Sequence, residues 1–185
     1  MRRFSKKIHS AFVFAENAHR GQKRKGGDVP YITHPLCVAM VLSRVGADDD
    51  LICSALLHDT VEDCNVSFTE IENYFGERVM QIVKEVTEDS KTNSWEERKR
   101  KAEEKIKKIS NDALLLKSAD IIHNISDLLY DIEKKGDSAF SKFNAPKKEK
   151  IEHYLRLISN LENSWPENPL IGEVQEKRDN LLSLS

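Results

Sequence analysis

Residues 54–63 read SALLHDTVED, and the polar half of this stretch is out of place for what precedes it. Leu51, Ile52, Ala55, Leu56 and Leu57 make an apolar face directed at a core, and His58, Asp59, Glu62 and Asp63 follow at once. On a continuous helix, residues four apart stack on one face, which sets His58 over Glu62 and Asp59 over Asp63 in two adjacent polar columns. Three carboxylates brought together repel one another unless a cation or hydrogen-bond donors compensate. A divalent metal compensates well: His and Asp ligate it, while a carboxylate one turn further on handles a water. A His-Asp doublet alone is more often an ordinary capped or surface pair.

Outward from this stretch the helical period holds in both directions. Phe4, Ile8, Ala11, Phe12, Ala15 and Ala18 repeat at helical spacing and stop at Gly21. Pro35 suits a first helical position, with Leu36, Ala39 and Leu42 behind it and Gly46 ending the run. Asp48 is placed to cap the helix that carries the opening stretch. Ser67–Glu70 (SFTE) and Ser94–Glu97 (SWEE) both fit the capping box, with Gly76 as a stop between them. Longer helices are expected from about Asn111 to Tyr130 and from Pro146 to about Asn163. No segment alternates at period two, so the expected class is all-α.

The 185 residues suffice for one domain, expected over 1–185 with its motifs at about 11–130 and helices from about 146 packed on it. The 29 basic and 31 acidic residues leave a net charge of −2, so nucleic acid is not an expected partner. Cys37, Cys53 and Cys64 lie outside any C-x-x-C spacing, which suits a reducing cytoplasm better than a disulfide framework. The basic N-terminus is followed by no long apolar run, and no segment approaches ~20 apolar residues, so no membrane association is expected.

A second helix repeats the anomaly. In ALLLKSADIIHNISDLLY (113–130), Lys117, Asp120, Asn124 and Asp127 form one polar stripe on an otherwise apolar surface, with His123 beside it. Such a stripe faces either solvent or a shared site. A third element, RKGGDVPYITHP (24–35), sets His34 at a helix start behind a glycine-rich loop. There Arg24, Lys25 and backbone amides can cradle phosphates.

His34, the His58-Asp59 doublet and Asp120 match the H…HD…D signature of the HD-domain metal-dependent phosphohydrolases. More narrowly, AENAHRGQKRKGGDVPYITHP, the stretch from ALLHDTVED to VTEDS, and LLKSADIIHNISDL resemble the hydrolase domain of RelA/SpoT-type enzymes. Within these the chain looks most like the stand-alone small alarmone hydrolases, over residues of about 11 to 130. The resemblance implies a single helical HD bundle that cleaves the 3′-pyrophosphate from the stringent-response nucleotides ppGpp and pppGpp. It assigns one divalent ion, Mn²⁺, to His34, His58, Asp59 and Asp120, and a hydrolytic dyad to Glu62 and Asp63. Arg24, Lys25 and Lys117 become candidates for holding the pyrophosphate, Asn124 a nucleoside contact, and Tyr31 either a site residue or plain packing. Ile121 stands where relatives often carry a basic residue, and Asp127 where some carry threonine, which leaves base selection open. Two alternatives stay beside this reading: a hydrolase of another nucleotide, such as an adenine alarmone or a 3′-phosphorylated cofactor, and a non-catalytic nucleotide sensor. Monomer and homo-oligomer are both compatible with it.

Overall fold

Helices account for the architecture, and their ends follow from local chemistry. The computed structural model describes residues 5–88, 95–143 and 145–184. α1 (Lys6–Ala18) begins where the Ser5 hydroxyl accepts from the Ile8 amide, and Phe4 and Ser94 lie outside the described residues. α2 (Thr33–Arg44) starts two residues earlier than proline placement predicts, so Pro35 is its third residue and His34 lies in its first turn. α3 (Asp49–Leu57) is capped by Asp48, whose carboxylate accepts from Leu51 N at 3.0 Å. α5 (Phe68–Phe75) opens on the predicted Ser67–Glu70 capping box, complete in both directions. After Gly76 come α6 (Glu77–Val86), α7 (Trp95–Ile106) and the 25-residue α8 (Asn111–Lys135), five residues longer than the pattern suggests. A 3₁₀ turn over Gly136–Lys142 leads to α9 (Lys147–Ser164) and α10 (Ile171–Leu182).

The opening stretch departs from the expectation of one continuous helix. α3 ends at Leu57, and a separate four-residue turn, α4 (Thr60–Asp63), begins after His58 and Asp59. Two side chains take carbonyls that a continuing helix would have bonded through its backbone. Thr60 Oγ1 donates to Leu57 O at 2.7 Å, and His58 Nδ1 lies 2.8 Å from Ala55 O. The break replaces stacked columns with two short segments joined at the His-Asp doublet.

Among the described residues there is no strand, only an isolated bridge between Lys23 and Pro30 that closes the α1–α2 loop. α3 lies at the centre against α1, α2 and α6; α8 packs on α2, α6 and α10; and α7 rests on α9. The apolar cluster runs from Ala11 to Leu181 and includes Leu56, Leu57, Leu116, Ile122 and Ile125, all essentially sealed from solvent. α8 therefore buries leucine and isoleucine on most sides, which frees one stripe for polar work. Leu116→Ala should cost about 2–5 kcal/mol through lost transfer and a residual cavity. Ser67→Ala, which removes only a cap, should cost about 0.5–2 kcal/mol. Urea denaturation of both variants checks this ordering.

Candidate active site and metal centre

His34 on α2, the doublet between α3 and α4, and Asp120 on α8 converge on one point. One ligand atom from each of His34, His58 and Asp120 lies within 4.8 Å of the others, and all three residues are buried. Asp59 belongs to the same cluster, with Oδ1 3.2 Å from His58 Nε2 and Oδ2 3.5 Å from His34 Nε2. Asp120 Oδ1 lies 3.3 Å from that His34 nitrogen. His58 directs Nδ1 at the Ala55 carbonyl, which leaves the Nε2 lone pair facing the carboxylates. That Nε2 is buried and makes no hydrogen bond. An orphaned imidazole nitrogen beside two carboxylates and a second imidazole is a donor set that a divalent ion satisfies.

The polar stripe of α8 faces this cluster and not solvent. Lys117 Nζ donates to Asp120 Oδ2 at 2.9 Å, and the Asn124 amide donates to Asp120 Oδ1. Burial alone would raise the Asp120 carboxyl, but the Lys117 ammonium and the His34 ring hold it well below the usual range. Asp59 is half-buried and is likewise held low by His58 and His34, with Tyr31 Oη donating to its Oδ2 at 2.7 Å. His123, which the sequence only places beside the stripe, lies with Nδ1 2.8 Å from His34 Nδ1. Burial, together with His34 and Arg24, pushes its pKa down to about 4, so His123 is neutral at pH 7. With His123 neutral, its Nδ1 can accept the His34 Nδ1 proton, the tautomer in which His34 Nε2 is able to ligate an ion.

The Glu62-Asp63 pair lies on α4, at the rim of the same cleft. Burial and the nearby Glu88, Asp59 and Asp63 raise the Glu62 carboxyl, which makes it a stronger base than an ordinary glutamate. Glu62 Oε2 accepts weakly from the Glu88 amide at 3.4 Å. Asp63 is more exposed, and its backbone carbonyl accepts from Gln22 Nε2 at 3.1 Å.

The cleft itself has a volume of about 340 Å³. Every residue given a metal, dyad or substrate role from the sequence lines it, including Arg24, Lys25, Tyr31, Lys117 and Asn124. Arg24 is not a loose surface cation: its guanidinium donates to Asn124 Oδ1 and Asp127 Oδ2, both at 3.0 Å, and sits 5.6 Å from the Tyr31 ring. Lys25 is exposed at the rim. Lys117, a candidate for holding the pyrophosphate, lines the cleft with its ammonium on Asp120.

The far wall comes from a region that carried no motif. Lys142, Phe143, Lys150 and Tyr154 line the cleft, and Lys150 Nζ lies 4.7 Å from the Phe143 ring and 4.5 Å from the Tyr154 ring. A cation held over two aromatic faces is a signal visible only after the tail has folded back. Gly26 permits this closure. A Cβ there would come 2.9 Å from Lys142 Cδ, and its φ of +85° already favours glycine.

Three comparisons bear on this geometry. The HD-domain family model matches residues 11–147. The guanosine-3′,5′-bis(diphosphate) 3′-pyrophosphohydrolase MESH1 of Xenopus tropicalis is 48% identical over 124 residues, 65% of this chain and 69% of that protein. An enzyme named guanosine-3′,5′-bis(diphosphate) 3′-pyrophosphohydrolase from Aquifex aeolicus is 35% identical over 98% of this chain, which spans only 26% of that longer protein. A solved structure described as a metazoan ortholog of SpoT that hydrolyzes ppGpp superposes with a TM-score of 0.80 at 29% identity, covering 99% of this chain and 97% of that one. The chain therefore belongs to the HD-domain family, on the branch of the MESH1 and SpoT-like 3′-pyrophosphohydrolases.

Proposed function

We propose that this chain is a metal-dependent hydrolase that removes the 3′-pyrophosphate from ppGpp and pppGpp, leaving GDP or GTP. The observation that carries the proposal is the orphaned His58 Nε2 among His34, Asp59 and Asp120, with a raised Glu62 on the same cleft. The family relation and the names of its relatives support the substrate.

In this reading His34, His58, Asp59 and Asp120 hold one divalent ion, Mn²⁺ in our assignment. When bound, the ion supplies Lewis acidity and offsets charge on the phosphate under attack. Glu62 accepts the proton of the incoming water through its carboxylate, and Asp63 orients that water or relays the proton. The new oxygen–phosphorus bond forms at the phosphorus linked to O3′. The bond to O3′ breaks, and O3′ leaves with a proton. Lys117 and Tyr31 hold the ligand carboxylates in place, at Asp120 and Asp59 respectively. Arg24, braced by Asn124 and Asp127, and Lys25 at the rim offer positive charge to the polyanion, as does Lys150 across the cleft. Three cysteines outside any disulfide fit the same reading of a cytoplasmic enzyme.

His58→Ala and Asp120→Ala should each lose bound Mn²⁺ and activity together; elemental analysis showing full metal occupancy in both would refute the ligand set. Glu62→Gln should lower turnover by a factor on the order of 10² or more while metal titration stays parental. Arg24→Ala should chiefly raise KM for ppGpp and leave metal content intact. Steady-state kinetics at low and high salt separate this from screened surface steering, which high salt would erase.

A further inference from the structure

A departing O3′ gathers negative charge and must acquire a proton. Most donors around the metal cluster are already spent. Tyr31 Oη donates to Asp59, Lys117 Nζ and the Asn124 amide to Asp120, and the Arg24 guanidinium to Asn124 and Asp127. Tyr154 on α9 differs from all of these. It is only 7% exposed and lines the cleft, and its hydroxyl makes no hydrogen bond among the described residues. A buried phenol ordinarily finds a partner, so one left unsatisfied at the wall of a cleft points to a group that arrives with the ligand.

The surroundings of the ring indicate which group that is. The charges acting on the Tyr154 hydroxyl are Asp120, Arg24, Lys117 and Asp127. Asp120 belongs to the cluster at the phosphate end, whereas Asp127 lies about two turns further along α8, beyond Asn124, the candidate nucleoside contact. Tyr154 therefore stands over the stretch where phosphate and nucleoside join, and the atom joining them is O3′. Burial, joined by Asp120, pushes the phenol up against the pull of Arg24 and Lys117, so it stays protonated at pH 7 and serves as a donor, not a base. Lys150 Nζ lies 4.5 Å from the ring centroid, a cation placed to offset charge that gathers on the oxygen. Buried Ile151, Leu157 and Ile158 seat α9, and Glu103 ties down His153 and Arg156 on either side of the tyrosine.

We propose that Tyr154 is a catalytic residue whose hydroxyl donates to O3′ and protonates it as the bond to phosphorus breaks. That bond breaks with its electron pair on O3′, and the phenolic proton moves to the same oxygen. The phenolate then takes a proton from a water entering the emptied cleft, while Glu62 returns its own to solvent. The catalytic role rests on the proposed hydrolase reading, whereas contact with the 3′ oxygen does not. Tyr154→Phe keeps the ring and removes only the hydroxyl. Turnover of ppGpp should fall roughly tenfold or more, with KM held within a factor of about two. Metal content and the thermal unfolding midpoint should stay parental, which a packing defect would not allow. Calorimetry with GDP and 3′-deoxy-GDP reads the contact without catalysis. The parent should prefer GDP by about fivefold, the worth of one neutral hydrogen bond, and Tyr154→Phe should bind the two equally. Parental turnover in Tyr154→Phe, or the same preference for GDP in both proteins, overturns the proposal. If the parent leaves ppGpp intact, the hydrolase reading fails, while the nucleotide comparison still decides whether Tyr154 meets the 3′ oxygen.

Discussion

Two carboxylates, the half-buried Asp59 and the buried Asp120, approach the same nitrogen of His34, and holding them there is the constraint that the surrounding structure answers. Burial and mutual repulsion both oppose ionised carboxylates at such a spacing. Each is accordingly given its own donor: Tyr31 for Asp59, Lys117 and Asn124 for Asp120. His123 fixes the His34 ring from behind. These donors come from the α1–α2 loop and one face of α8, so the electrostatics of the cluster dictate where two separate parts of the chain must meet. The break between α3 and α4 serves the same end by turning the doublet into the cluster while α3 keeps burying leucines.

What was legible in the sequence was what local chemistry decides. Asp48 and Ser67 cap helices because a side-chain oxygen next to free amides has the same use in any fold. The Lys117–Asp127 stripe was visible as a face, but periodicity does not say which neighbour a face meets; only packing of α8 against α2 turned it toward His34. The stop after Leu57 was missed because Thr60 and His58 win carbonyls from the backbone, a competition that spacing alone does not reveal. Lys142, Phe143, Lys150 and Tyr154 were missed for a simpler reason. In sequence they read as an ordinary amphipathic segment, and their meaning depends on contacts with residues more than a hundred positions away.

One acidic residue ties α7 to α9. Glu103 on α7 meets His153 Nδ1 at 2.8 Å and Arg156 Nε at 3.0 Å, while its backbone carbonyl accepts from Asn160. On the other side Lys105 donates to the carbonyls of Lys84 and Thr87 at the end of α6. α7 is thus anchored by polar contacts at both flanks, in contrast with the apolar seams that join α3 to α1, α2 and α6. α7 also adds to the core through Ile106, which is sealed from solvent.

The separation along the chain of the groups that meet in the cleft sets an order of events. His34 finds His123 across 89 positions, and Arg24 finds Asp127 across 103. Helices form from local contacts, whereas such distant pairings wait until chain entropy has been overcome elsewhere. During synthesis, a nascent chain exposing residues through α6 already displays both imidazoles and the acidic pair, yet lacks Asp120, the cation that neutralises it and the aromatic far wall. The complete cluster therefore arrives last, and a half-made chain is a set of helices with only part of the site.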